Sequence, residues 1–242
     1  MEKQLPAHDE ITGLMRAFEM GCIACAAGLI LLHGMRLFLA PVSWSWWVVA
    51  ALPSGALFAD FMSGMIHWFA DSWFEETMPV LGQRLLRPFR VHHVNPADFL
   101  RRNFVDTNGD VSMVCILFLL AIFAFPLESR AGQWGAVFLL SAITTGWPTN
   151  QVHQWAHMPN PPRFVAVLQR AEIILSGPAH RRHHSHPYSE QYCIATGWLN
   201  RPLTAIRFFR RLEALVTWLT GFQPREDDTQ FIQKIRDGQV NA

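Results

Sequence analysis

Four apolar runs, each close to the length that crosses a bilayer, leave this chain little room for any architecture other than a bundle of membrane helices. They extend from about Ala17 to Ala40, Trp44 to Phe69, Val111 to Leu127 and Trp134 to Trp155. A span needs about 20 residues at ~1.5 Å each. The third run is near the short limit, and the first is interrupted by His33 and Arg36. Composition agrees. Of 242 residues, 50% are hydrophobic and 16% charged, with Phe and Trp far outnumbering Tyr. The net charge of +1 gives no reason to expect nucleic acid.

Basic residues orient the runs. The stretch 71–110 holds Arg84, Arg87, Arg90, Arg101 and Arg102, and the tail after Met158 includes Arg181, Arg182, Arg207, Arg210 and Arg211. The short links Pro41–Ser43 and Glu128–Gln133 hold only Arg130. By the positive-inside rule both long segments and both termini are cytoplasmic, as an even number of crossings also requires. The expectation is one domain, 1–242. It is an all-α integral membrane protein of four transmembrane helices with a cytoplasmic His-rich helical cap (71–110 and 158–242), in a bacterial inner membrane or the ER membrane. Arg163–Leu175 and Pro202–Thr220 carry apolar residues at three- and four-residue spacing, the latter opposite Arg207, Arg210 and Arg211. Amphipathic helices of this kind lie at the interface or, equally, pack on the spans. Glu2, Asp9, Glu10 and Glu19 make the start acidic, so no cleavable signal is expected. Cys22 and Cys25 lie inside an apolar run with no second pair, which reads as helix packing rather than a disulfide or metal framework.

Eight histidines fall into four groups at or beside the ends of these runs: His67; His92 and His93; His153 and His157; His180, His183 and His184. The topology places all four at one membrane face. Asp60, Gly64, His67 and Asp71 share one helical face, as do Asn150, His153 and His157, and two imidazoles one turn apart can ligate one ion. His92 and His93 precede Asn95-Pro96, which ends a helix. Neutral imidazole is the commonest metal ligand, and polar groups placed near lipid are functional by default. Eight nitrogens exceed one structural zinc site, so two ions are expected, and imidazole suits Fe, Cu, Zn or Ni. Asp71 is a candidate ligand or an acceptor for an imidazole N–H. His153-Gln154-Trp155-Ala156-His157 is not His-Glu-x-x-His, so a zinc protease would be missing its general base and that reading is weak.

These residues resemble the plasmanylethanolamine desaturase family (the Kua or CarF group). The resemblance runs through Asp60-Phe61-Met62-Ser63-Gly64 with His67-Trp68 and Ala70-Asp71, then Arg87-Pro88-Phe89-Arg90 with His92-His93. It continues in Asn103-Phe104 and Thr107-Asn108-Gly109-Asp110, and in Thr149-Asn150-Gln151 with His153 and Trp155-Ala156-His157. His180, Arg181, His183-His184, Thr196-Gly197-Trp198-Leu199-Asn200 and Arg210-Arg211-Leu212-Glu213 complete it, covering roughly Pro53 to Arg236.

The resemblance implies an O2-dependent di-iron desaturase that forms the C1–C2 vinyl ether in the sn-1 alkyl chain of a membrane ether phospholipid. It makes His67, His92, His93, His153, His157, His180, His183 and His184 the iron ligands, with Asp71 the carboxylate. Asp60, Asn150, Arg181 and His186 are then second-layer or substrate residues, His186 departing from the family pattern. His33 is expected to be a satisfied span residue and His8 a solvated one. The chain has no Gly-x-Gly-x-x-Gly and no haem-attachment motif. Electrons are therefore expected from a cytochrome b5- or ferredoxin-type donor. Arg181 and Arg182 would steer such a donor or bind lipid phosphate. Two alternatives stand beside this reading: a di-iron desaturase of a phospholipid acyl chain, and a non-catalytic metal sensor or transporter.

Overall fold

The computed structural model describes residues 12–40, 45–74, 77–185 and 188–225, which form helices and connecting loops with no strand among them. In chain order the helices are α1 (Gly13–Leu39), α2 (Trp46–Val49), α3 (Ala51–Ser72), α4 (Arg87–Val94), α5 (Pro96–Arg101) and α6 (Phe104–Ala121). They continue as α7 (Arg130–Gly146), α8 (Thr149–His157), α9 (Arg163–Arg170), α10 (Gly177–His183), α11 (Asn200–Ala205) and α12 (Phe208–Thr220). Among the described residues, three stretches are long and apolar enough to cross a membrane: Gly13–Leu39, Trp46–Ser72 and Phe104–Ala124.

Two of the expected runs change shape. The third begins at Phe104 rather than Val111, because the Asn103 side chain caps the helix by accepting from the amides of Val105 and Asp106. The connector before it therefore ends near Asn103, not Asp110. The fourth, expected as one helix from Trp134 to Trp155, is broken into α7 and α8 at Trp147–Pro148. Proline lacks an N–H and its ring clashes with the carbonyl four residues back, so the axis cannot continue unbroken. At 17 residues α7 spans about 26 Å.

The long helices pair in parallel. Along α1 and α6, Arg16 meets Asp106 at 3.0 Å, the His33 ring meets the Leu119 carbonyl at 2.9 Å, and Arg36 lies over the Phe123 ring. His33 is thus satisfied within the span, its other nitrogen 3.0 Å from Arg36. Along α3 and α7, Ser141 Oγ donates to the Leu52 carbonyl, and Gly55 lets the backbones touch: a Cβ there would stand 2.3 Å from the Phe138 carbonyl oxygen. The turn Pro126–Ser129 reverses the chain between the two pairs. Ala26, Leu37, Val48, Ala51, Leu119, Ala136 and Val137 form the core between these helices. Leu31, Phe38, Leu117, Phe118 and Leu120 face outward, a surface suited to hydrocarbon.

Parallel pairing places the starts of α1 and α6 at the same end as the finish of α3 and the α7–α8 break. The shorter helices collect at that end. α9 stops at Arg170 instead of continuing to Leu175, with Glu172 at a positive φ of 55°. The expected helix 202–220 is two helices, parted at Arg207, whose φ is 52°. His8 and His186, and the polar tail beyond Arg225, lie outside the described residues.

Candidate metal centre

Four elements supply the expected ligands: α3 carries His67 and Asp71, α4 His92 and His93, α8 His153 and His157, and α10 His180 and His183, with His184 as its C-terminal cap. They sort into two adjoining groups. His92, His153, His157, His180 and His184 form one, and His67, Asp71, His93 and His183 the other, with the ligand atoms of each within 4.8 Å of one another.

The first group is closed around a point. Nε2 of His153 lies 2.9 Å from Nε2 of His180, Nε2 of His157 lies 3.3 Å from that of His153, and His180 to His157 is 2.8 Å. Nε2 of His184 is a further 3.0 Å from that of His180. Neutral rings cannot satisfy such a triangle, since each proton serves one edge and leaves lone pairs opposed. A cation resolves it. Two nitrogens at ~2.1 Å from an ion and at right angles are about 3.0 Å apart.

The second group is built round the Asp71 carboxylate. Its Oδ2 is 3.2 Å from Nε2 of His67, 3.5 Å from His93 and 3.4 Å from His183. Tautomers are fixed from behind. The Tyr192 carbonyl is 3.1 Å from Nδ1 of His67, and the Glu190 carbonyl 2.9 Å from Nδ1 of His183. A carbonyl only accepts, so both Nδ1 atoms carry the proton and both Nε2 lone pairs face the carboxylate. That is repulsive without a cation between them. Among the described residues, Nε2 of His67, Nε2 of His92 and both Asp71 oxygens are buried with no hydrogen-bond partner. Buried polar atoms are rarely left so, and the chemistry of this donor set fits bound metal.

Electrostatics keeps the rings neutral. Burial first, then the neighbouring imidazoles, holds His92, His180 and His184 well below the usual 6.5. Burial, then His93 and His183, lowers His157 to about 3. Neutral imidazole is the form that binds metal.

The family motifs explain the packing behind the ligands, and three of the residues expected in the second layer or at the substrate are placed as follows. Asp60 touches no imidazole. It is fully buried and accepts the amides of Thr196, Gly197 and Leu199 at 2.8–3.0 Å. Ser63 accepts from Ile194 N, and Gly64 leaves room for Cys193, whose sulfur would be 2.6 Å from a Cβ there. Segment 192–199 therefore runs antiparallel along α3 and delivers the Tyr192 carbonyl to His67. Asn150 donates to the Thr107 carbonyl at 2.9 Å, tying α8 to α6. Arg181 is exposed, on the face of α10 turned away from His180 and His183. A helical face is visible in sequence, but the loop that packs on it is not.

Sequence reasoning also missed several supports. Arg90, buried in α4, donates to the Ala70 and Trp73 carbonyls at 3.3 and 2.8 Å and also to Phe74. These are the open carbonyls at the end of α3, so one guanidinium fastens Asp71 beside His93. Trp68 Nε1 donates to Glu213, itself paired with Arg210 at 2.8 Å, which seats α12 behind His67. Phe89 and Phe99 flank the imidazoles, with ring centroids 4.9 Å from His67 and 5.1 Å from His153.

The lipid desaturase domain family matches residues 56–227, a stretch that contains all nine candidate ligands. A plasmanylethanolamine desaturase of Myxococcus xanthus is 41% identical over 214 residues, 88% of this chain and 76% of the relative. Plasmanylethanolamine desaturase 1 of Mus musculus is 41% identical over 197 residues, 78% of this chain and 72% of the relative. Chloroplastic fatty acid desaturase 4 of Arabidopsis thaliana is 28% identical over 174 residues, 71% of this chain and 52% of the relative. No solved structure matches the chain.

Proposed function

The chain belongs to the lipid desaturase family, and from that premise we propose that it converts a plasmanylethanolamine to a plasmalogen. The reaction introduces the C1–C2 vinyl-ether double bond into the sn-1 alkyl chain with two iron ions, O2 and an external electron donor. Support comes from the two adjoining ligand groups, whose buried lone pairs oppose one another unless cations lie between them. His92, His153, His157, His180 and His184 would hold one iron, and His67, Asp71, His93 and His183 the other. Iron bound there supplies the O2 activation needed to attack an unactivated C–H bond.

Overall, CH2–CH2, O2, two electrons and two protons give CH=CH and two waters. The protein's part is positioning. The carbonyls of Tyr192 and Glu190 fix two ligand tautomers, Arg90 holds the end of α3, and the Phe89 and Phe99 rings put apolar walls beside the imidazoles. The ligands stand at helix ends rather than mid-span, which suits oxidation of carbons close to the glycerol. We place α1, α2–α3, α6 and α7 across the membrane as four passes, with both termini and the ligands cytoplasmic and with α9 and α12 at the interface. A cytochrome b5- or ferredoxin-type carrier supplies the electrons. Exposed Arg181 and Arg182, on a helix that serves both groups, suit an acidic one.

The second reading, desaturation of a phospholipid acyl chain, is favoured by the similarity to the Arabidopsis fatty acid desaturase, at lower identity. A transporter gains nothing from His33, which is closed off within the span. Expression in cells that make ether lipids tests the proposal. Acid-labile vinyl ethers should appear, and His153→Ala should remove them. Unsaturated acyl chains appearing in their place would favour the second reading.

A further inference from the structure

Gln154 stands directly after His153, where a zinc protease would carry its glutamate, and the structure gives the amide a different task. It is buried, 3% exposed, on α8. Its Nε2 donates to the Phe99 carbonyl at 2.8 Å and to the Arg102 carbonyl at 2.9 Å, while its Oε1 accepts from Gln151 Nε2 at 2.8 Å. Both N–H bonds are thus spent on carbonyls at the C-terminal end of α5, that of Phe99 also accepting from the Arg102 amide at 3.3 Å.

α5 needs such a hold. It has six residues, none of them buried, and a helix that short is not stable by itself. Yet it carries Phe99, whose ring centroid lies 5.8 Å from His92, 5.1 Å from His153 and 5.9 Å from His157. One aromatic side chain therefore faces three of the five imidazoles in the first group. A carboxylate at position 154 would only accept, and would oppose both carbonyl oxygens.

We propose that Gln154 is a positioning residue that latches α5, through its two N–H donors, so that Phe99 covers the five-imidazole group and keeps water from it. This rests on the reading of that group as an iron site in a desaturase. The inference explains why the His-x-x-x-His stretch carries glutamine: the residue serves the neighbouring helix, not a bound water.

The test uses the full-length protein in lipid nanodiscs with iron bound and a reduced one-electron carrier as the source of electrons. Hydrogen–deuterium exchange of the α5 amides, iron content, and hydrogen peroxide released per O2 consumed are measured for wild type, Gln154→Glu, Gln154→Lys, Phe99→Ala and the double variant Phe99→Ala with Gln154→Glu. Gln154→Glu should keep its iron yet exchange α5 at least about ten-fold faster and release more peroxide. Gln154→Lys, which retains donors but leaves the Gln151 amide without its acceptor, should exchange α5 more slowly than Gln154→Glu. Phe99→Ala should leak peroxide without Gln154→Glu adding to it, since both act through the same ring. Unchanged α5 exchange in Gln154→Glu overturns the latch. Faster exchange with no rise in peroxide overturns the covering role. Wild type that binds iron but consumes no O2 overturns the desaturase reading, while the exchange experiment still reports on the latch.

Discussion

Asp71 is the only carboxylate among nine candidate ligands, and its two buried oxygens face imidazole lone pairs instead of hydrogen-bond donors. Asp71→Asn keeps the shape and removes the charge. Iron content should fall from about two per chain towards one, because the second group loses its only anionic ligand while the first keeps five neutral ones. Metal analysis of purified protein checks this. The same burial gives the metal-free protein a pH signature. His157 titrates near about 3 when folded and near 6.5 when unfolded, and His92, His180 and His184 are shifted the same way. Between those limits the unfolded chain binds more protons, so stability is full above about 6.5 and is lost as pH falls towards 3. The melting temperature of the iron-free protein should therefore drop steadily from pH 7 to pH 5. A flat profile would contradict neutral, buried imidazoles.

At the scale of elements, the ligands were legible because helical spacing is local: His67 with Asp71 and His153 with His157 are one turn apart by arithmetic. What lies against the opposite side of a helix is not local. Asp60 shares a face with His67, which suggested the metal, yet it binds three amides more than 130 residues away in sequence. The Tyr192 and Glu190 carbonyls left no trace in sequence because any residue offers one. Pro148 and Asn103 did carry signals, a breaker and a cap, but hydropathy alone ran through the first and started the helix well past the second. The strip of contacts along α3 has a testable weak point. Gly64→Ala would drive Cβ to 2.6 Å from the Cys193 sulfur and push segment 192–199 off His67. Overpacking of this kind costs about 1–3 kcal/mol, and Cys193→Ala in the same chain should restore much of it. Thermal unfolding and iron content of the single and double variants measure both effects.

On the scale of the whole molecule, parity and charge correctly anticipated that the histidines gather at one end, since two parallel helix pairs bring the same ends together. They did not reveal which helices pair, nor that the ligands divide five and four. That division comes from side chains on separate elements meeting in space, with α4 and α10 each serving both groups. One centre of this kind, at helix ends and walled by phenylalanines, accounts for the family motifs, the opposed lone pairs and the shared similarity to plasmanylethanolamine desaturases. The most direct measurement supplies purified, iron-loaded protein in nanodiscs with plasmanylethanolamine, O2 and a reduced one-electron carrier, and quantifies vinyl ether by mass spectrometry. Vinyl ether should form with about one O2 consumed per double bond and be absent without iron. Iron-bound, folded protein that leaves the alkyl chain saturated would contradict the proposed reaction.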